Sequence, residues 1–91
     1  MKDIRWYLNY IGSAVLVKYY YDFKFLDAEE CVEKIEEPYT IKSKRSRTSK
    51  ARQMFREGRN IEALECIAAS AKLDPVVVNR ATEILKEEKV T

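Results

Sequence analysis

From Asp3 to Ile11 polar and apolar positions alternate, with Ile4, Trp6, Leu8 and Tyr10 on one side and Arg5, Tyr7 and Asn9 on the other. A period of two is that of a half-buried strand. From Val15 the odd positions Val15, Val17, Tyr19, Tyr21, Phe23 and Phe25 are all apolar, while Lys18, Asp22 and Lys24 fall opposite, so a second strand follows. Between them Gly12-Ser13 suits the two-residue loop of a type II′ turn, which takes glycine first. The same stretch admits another period, because Ile4, Leu8, Ile11, Val15 and Tyr19 also recur at helical spacing. The alternation favours a hairpin over residues 4–25, with a helix as its competitor.

Asp27-Ala-Glu-Glu30 opens a helix in the manner of a capping box, and its acidic first turn suits the helix dipole. Ala28, Cys31, Val32 and Ile35 form the stripe that this helix would bury, and Pro38 ends it. Tyr39-Thr-Ile-Lys42 is then a short third strand able to pair with the hairpin. The N-terminal part therefore reads as a small antiparallel sheet with one covering helix.

The second half reads as three helices. Thr48 or Ser49 caps a helix running to Gly58, with Ala51, Met54 and Phe55 inward and Arg52, Arg56 and Arg59 on a separate face. Asn60 caps the next, whose stripe is Ala63, Leu64, Ile67, Ala68 and Ala71, ending at Leu73. After a short break Asp74 is an N-cap with Pro75 at the first helical position, and Val78, Ala81 and Leu85 line one face of the last helix. The fold class expected is α+β: a hairpin, a covering helix and a short third strand over residues 1–43, then a basic segment and a three-helix helix-turn-helix unit over residues 44–91.

The segment from Ile67 through Asp74-Pro75 to Lys89 resembles the helix-turn-helix of small bacterial, archaeal and phage DNA-binding regulators, including winged-helix ones. In that family Ala68 would allow close helix approach, Val78 and Leu85 would be buried, and Asn79 and Arg80 would face the DNA. Lys89 replaces the glycine that leads into a wing, so the resemblance is to a member without one. Ala51 to Gly58, Glu62-Ala63-Leu64-Glu65 and Lys72-Leu73-Asp74-Pro75 together resemble a single tetratricopeptide unit. That second resemblance implies a helical hairpin over residues 48–75 that binds a protein partner.

Charge sharpens the nucleic-acid reading. The net charge is only +2, yet Lys42, Lys44, Arg45, Arg47, Lys50, Arg52, Arg56 and Arg59 follow one another opposed by Glu57 alone. Cations interleaved with serines and threonine are what hold a protein on phosphates. Lys44, Arg45, Arg47, Ser49, Lys50, Arg52 and Arg56, with Lys86 further on, are the candidate phosphate contacts. On the last helix Val76, Asn79, Arg80 and Glu83 point away from the apolar stripe and are the candidate base contacts, since Asn and Arg read adenine and guanine edges and Val packs on a thymine methyl. The competing reading pairs Arg80 with Glu83 along the helix. These features point to a small DNA-binding protein on duplex DNA, a transcriptional regulator or a comparable mobile-element or phage protein. The alternative is a protein-interaction module using the 48–75 hairpin and the basic surface without DNA.

Composition narrows the rest. With 91 residues, 46% of them hydrophobic and 35% charged, the chain can form one modest core. No histidine and only two glycines leave little for acid–base or nucleophilic catalysis and no phosphate loop, so neither an enzyme nor a cofactor is expected. Cys31 and Cys66 stand far apart with no Cys-x-x-Cys pair, which excludes the usual zinc frameworks and suits buried thiols in a reducing cytoplasm. The apolar run from Trp6 to Val17 is shorter than the roughly twenty residues a membrane span needs, so no stable insertion is expected. A two-faced aromatic hairpin over residues 4–25 has apolar area to spare, which suggests a homodimer.

Overall fold

The computed structural model describes residues 2–90. Seven helices follow one another: α1 (Ile4–Ile11), α2 (Ser13–Lys18), α3 (Tyr20–Phe25), α4 (Ala28–Lys34), α5 (Ile41–Arg56), α6 (Asn60–Ala68) and α7 (Pro75–Val90). There is no strand among the described residues, so the expected α+β fold, with its N-terminal hairpin and third strand, is overturned.

The helical period wins over residues 4–25. Tyr7 is fully buried beside Ile4, Leu8 and Ile11, whereas Tyr10, which the strand pattern placed inside, is 49% exposed. Likewise Phe25, the last odd position of the second expected strand, is 71% exposed, and the even positions Leu16 and Tyr20 are buried. Alternation was deceptive because apolar residues are so dense here that both periods are satisfied. The helix has the advantage that it pairs its backbone groups locally and still buries one stripe. Gly12 serves as the break between α1 and α2 at φ 90°, where a hairpin turn was expected. Val15, Leu16 and Val17 of α2 are all buried, as a helix enclosed by its neighbours must be.

Further on the cap chemistry was legible. The Asp27 side chain accepts from the Glu30 N–H at 2.9 Å while Glu30 Oε1 accepts from the Asp27 N–H at 3.4 Å, closing the capping box of α4. Cys31, Val32 and the following Ile35 are buried as expected, but Ala28 is exposed. Tyr39 to Lys42 is not a strand, because Thr40 caps α5 through the Ser43 N–H at 3.1 Å and the helix begins at Ile41. The Lys, Arg and Ser run carries no breaker, so α5 continues for 16 residues and Thr48, expected as its cap, lies mid-helix and buried. The boundary drawn between residues 43 and 44 thus falls inside α5.

Gly58, at φ 69°, ends α5 with a Schellman pattern in which the Gly58 and Arg59 N–H groups return to the Phe55 and Met54 carbonyls. Asn60 is the first residue of α6 and does not cap it; its amide donates to the Tyr20 hydroxyl at 2.9 Å. α6 and α7 pack extensively on one another across residues 69–74, where Ser70 Oγ accepts from the Lys72 and Leu73 N–H groups. Asp74 caps α7 through the Val76 N–H at 2.9 Å. The face that α7 buries is centred on Ala81 and Ile84, with Val77 and Leu85 packed beside them; of the expected stripe, Ala81 and Leu85 lie on this face and Val78 does not.

The helices assemble differently from a separate C-terminal trio. α5 packs on α1, α3 and α4, α6 on α7 and α1, and α7 on α6 and α2. One core runs through them all, from Tyr7, Ile11 and Leu16 to Met54, Leu64 and Ile84. The described residues span 30 × 27 × 25 Å.

Candidate nucleic-acid interface

The basic segment becomes one helix, and its cations divide by what they touch. Arg47 donates to the Ile11 carbonyl at 2.8 Å and to Ser43 Oγ at 3.1 Å, and its guanidinium lies 3.9 Å from the centre of the Tyr39 ring. It thereby closes the C-terminal end of α1, where orphan carbonyls and the negative dipole end favour a cation. Gly12 makes room for it: a Cβ there would stand 2.9 Å from Arg47 Nη1. Arg52 does the same for α3 by donating to the Leu26 carbonyl. Arg59 donates to the Lys2 carbonyl and to both oxygens of Glu62, and only 8% of it is exposed. The Lys50 ammonium sits over the Trp6 and Tyr10 rings at 5.3 and 5.6 Å.

Lys42, Lys44, Arg45 and Arg56 have neither a side-chain hydrogen bond nor an ion pair among the described residues. Lys42, Arg45 and Arg56 are exposed with Ser46 and Ser49, and at helical spacing they form the outward stripe of α5. Of the residues expected on phosphates, then, Arg45, Ser49 and Arg56 are brought together and accessible. Arg47, and in part Arg52 and Lys50, are engaged in holding the fold.

One groove of about 340 Å³ runs between α4 and α5. Ala28, Glu29 and Val32 line it from α4; Arg45, Thr48, Ser49, Arg52 and Arg56 line it from α5. Thr48, one of the hydroxyls interleaved with the basic run and the expected helix cap but not one of the expected phosphate contacts, stands in this groove. Its side chain is 1% exposed and its Oγ1 is buried without a hydrogen-bond partner. Taking the helix to begin at Thr40 places Thr48 three residues from Arg45 and four from Arg52, on the border between the basic and buried faces.

The candidate base contacts lie on another part of the surface. Val76 is 75% exposed and Asn79 is exposed, both near the start of α7. Arg80 is paired with Glu83 at 3.2 Å, as the competing reading had it, and Lys86 is exposed. Val76, Val77 and Arg80 face Ala14, Val17 and Lys18 of α2 across a hollow of about 390 Å³.

Carboxylates meet tyrosines throughout. Tyr7 donates to Glu57 at 2.6 Å, Tyr19 to Glu37, Tyr20 to Glu88 and Tyr21 to Glu87, each at 2.7 Å. Glu88 also takes Lys24 at 2.8 Å. Burial pushes the Glu88 carboxyl up, but the bonds from Lys24 and Tyr20 outweigh it and hold the group below its usual range. Burial and then the bond to Glu87 push the Tyr21 hydroxyl up to about 12. These acids hold the fold together and make no hydrogen bond or ion pair with Lys42, Arg45 or Arg56.

No cluster of three or more His, Cys, Asp or Glu side chains suited to a metal ion occurs among the described residues, and none of their helices is long and apolar enough to cross a membrane. The aromatic hairpin from which a homodimer was inferred does not exist; Tyr7, Tyr19, Tyr20 and Phe23 fill the core instead. No family model, curated protein or solved structure matches the chain.

Proposed function

We propose that this is a small DNA-binding protein of the regulatory kind, working in the cytoplasm, that grips the phosphate backbone of duplex DNA through the outward stripe of α5. The observation that carries this reading is the division of cations on one helix. Arg47 and Arg52 are consumed by carbonyls, while Lys42, Arg45 and Arg56 stay unpaired on the solvent side with Ser49 between them. Leaving like charges unneutralised side by side is unfavourable for the fold, and an anionic partner relieves it. Asn79 and Arg80 are the base-reading part of the proposal. Arg80 must release Glu83 to do so, which costs little because an exposed pair of this spacing is worth about 0.2–0.5 kcal/mol.

The test is a salt titration of binding to mixed-sequence duplex DNA, in which affinity must fall steeply as salt rises. Alanine at Lys42, Arg45 or Arg56 should each flatten the slope by about one unit on any sequence. Alanine at both Asn79 and Arg80 should relax base preference while sparing the slope. Failure to bind any duplex at low salt refutes the proposal.

A protein partner is the second reading, favoured by the apolar hollow between α2 and α7, where Val76 stands largely in solvent. It does not rely on the tetratricopeptide-like hairpin, since the main neighbours of α5 are α1, α3 and α4 rather than α6.

A further inference from the structure

We infer that the groove between α4 and α5 is a seat for the terminal phosphomonoester of a nucleotide. The inference rests on α5 being a phosphate-binding face and goes further by choosing which phosphate. Arg45, Arg52 and Arg56 line one groove from a single helix, and Arg45 and Arg56 make no hydrogen bond or ion pair, even with Glu29 on the opposite wall. Arg52 spends one N–H on the Leu26 carbonyl and keeps its others for a second acceptor. The Ser49 hydroxyl lies between them, one helical turn from Arg45 and from Arg52.

The second observation is independent of charge. Thr48 forms part of the groove wall, is nearly inaccessible, and carries a hydroxyl with no partner. A buried hydroxyl without a partner is a donor to spare; the atom itself is closed to solvent, so a turn about χ1, which threonine in a helix allows, must bring it to the groove before an oxyanion there can accept from it, more weakly than from the arginines. α4 closes the far side with Ala28, Val32 and the Glu29 carboxylate. That wall favours a terminal group over a backbone diester, which must enter and leave with its strand. Glu29 repels the phosphate towards α5 and can accept from a ribose hydroxyl.

A neighbouring hollow of about 130 Å³ shares Arg52 and Arg56 and is lined also by Phe23, Lys24 and Phe55. It offers the half-buried Phe55 ring to a base, since aromatic faces stack on bases of any sequence. A phosphate between the arginines with a nucleoside beside Phe55 uses both spaces.

The experiment compares the whole protein with a short single-stranded oligonucleotide bearing a 5′-phosphate, the same strand bearing a 5′-hydroxyl, adenosine monophosphate, and inorganic phosphate, by calorimetric titration. The 5′-phosphate should raise affinity about tenfold over the 5′-hydroxyl strand. Arg45→Gln and Arg56→Gln should each remove most of that gain. Thr48→Val keeps the shape, folds at least as well, and should reduce the gain by about threefold. Acidification through about pH 6, where the phosphate dianion takes up a proton, should shrink it too. Adenosine monophosphate binding as tightly as the phosphorylated strand identifies a free nucleotide as the source; tighter binding of the strand identifies a nucleic-acid end. Equal affinity for 5′-phosphate and 5′-hydroxyl strands, or a gain that survives in the Arg45→Gln, Arg56→Gln protein, overturns the inference. Inorganic phosphate binding as well as the nucleotide overturns its nucleoside part. Absence of duplex and 5′-hydroxyl binding alone counts against backbone gripping and leaves the monoester seat to be judged on the 5′-phosphate gain.

Discussion

α5 and α7 are both 16 residues long, and they are held by opposite chemistry. α5 buries little besides Thr48, Ala51 and Met54, and it is pinned by cations that reach out to the carbonyl ends of α1 and α3. α7 buries Ala81 and Ile84, and at its far end it receives donors, with Tyr20, Tyr21 and Lys24 reaching Glu87 and Glu88. Carboxylates in the last turns of a helix oppose its dipole, so those glutamates need their donors. The arginines of α5, by contrast, complement the helix ends they touch. A charged residue is therefore structural or available according to whether a helix end or a hydroxyl lies within its reach, and composition alone does not separate the two.

Substitutions can break this contrast, beginning with the apolar anchor of α7. Ile84→Ala should cost about 2–5 kcal/mol in denaturant unfolding, as truncation of a fully buried side chain does. Arg47→Ala should come next, at about 2–3 kcal/mol, because it strips a charged donor from the end of α1 and unstacks Tyr39. A loss near zero would put Arg47 among the available cations. Tyr20→Phe should cost about 1–2 kcal/mol by removing the bond to Glu88 and the one its hydroxyl accepts from Asn60. Arg45→Ala and Arg56→Ala should change stability by less than about 0.5 kcal/mol while weakening duplex binding, the reverse of Arg47→Ala.

Titration sharpens the same contrast. Glu57, held down chiefly by the Tyr7 bond, and Glu37 and Glu88, where donors outweigh burial, all have carboxyls below the ordinary 4.5. The folded state binds these protons less tightly than the unfolded chain, so their contribution is complete above about pH 4.5 and is lost as pH falls through the lower folded values. Tyr20 and Tyr21 run the other way, raised above the ordinary 10.0, Tyr21 to about 12. Their contribution holds up to pH 10.0 and fades as pH climbs through the raised values. Denaturant midpoints measured across both limbs should fall at each end, and Tyr20→Phe should blunt both.

The caps of α4 and α7 could be read in advance because Asp27 and Asp74 act within a few residues of themselves. The first 25 residues could not, since an aromatic-rich segment fits both periods and the face that turns inward packs on Met54, Leu64, Ile67 and Ile84, far along the chain. The groove was half legible. Its arginines stand in the basic run, but Thr48 enters it only because Thr40, rather than Thr48 itself, starts the helix.

The latches that close this fold join parts of the chain far apart in sequence. The Arg59–Lys2 carbonyl bond spans 57 residues and the Tyr20–Glu88 bond 68. The seven helices of the described residues gain these fastenings only when α1 to α3 meet α5, α6 and α7. Hydrogen exchange should therefore find the amides of α1 to α3, whose Tyr7, Ile11, Leu16, Tyr20 and Phe23 fill the core, opening only with the whole fold, and denaturant unfolding should show a single transition.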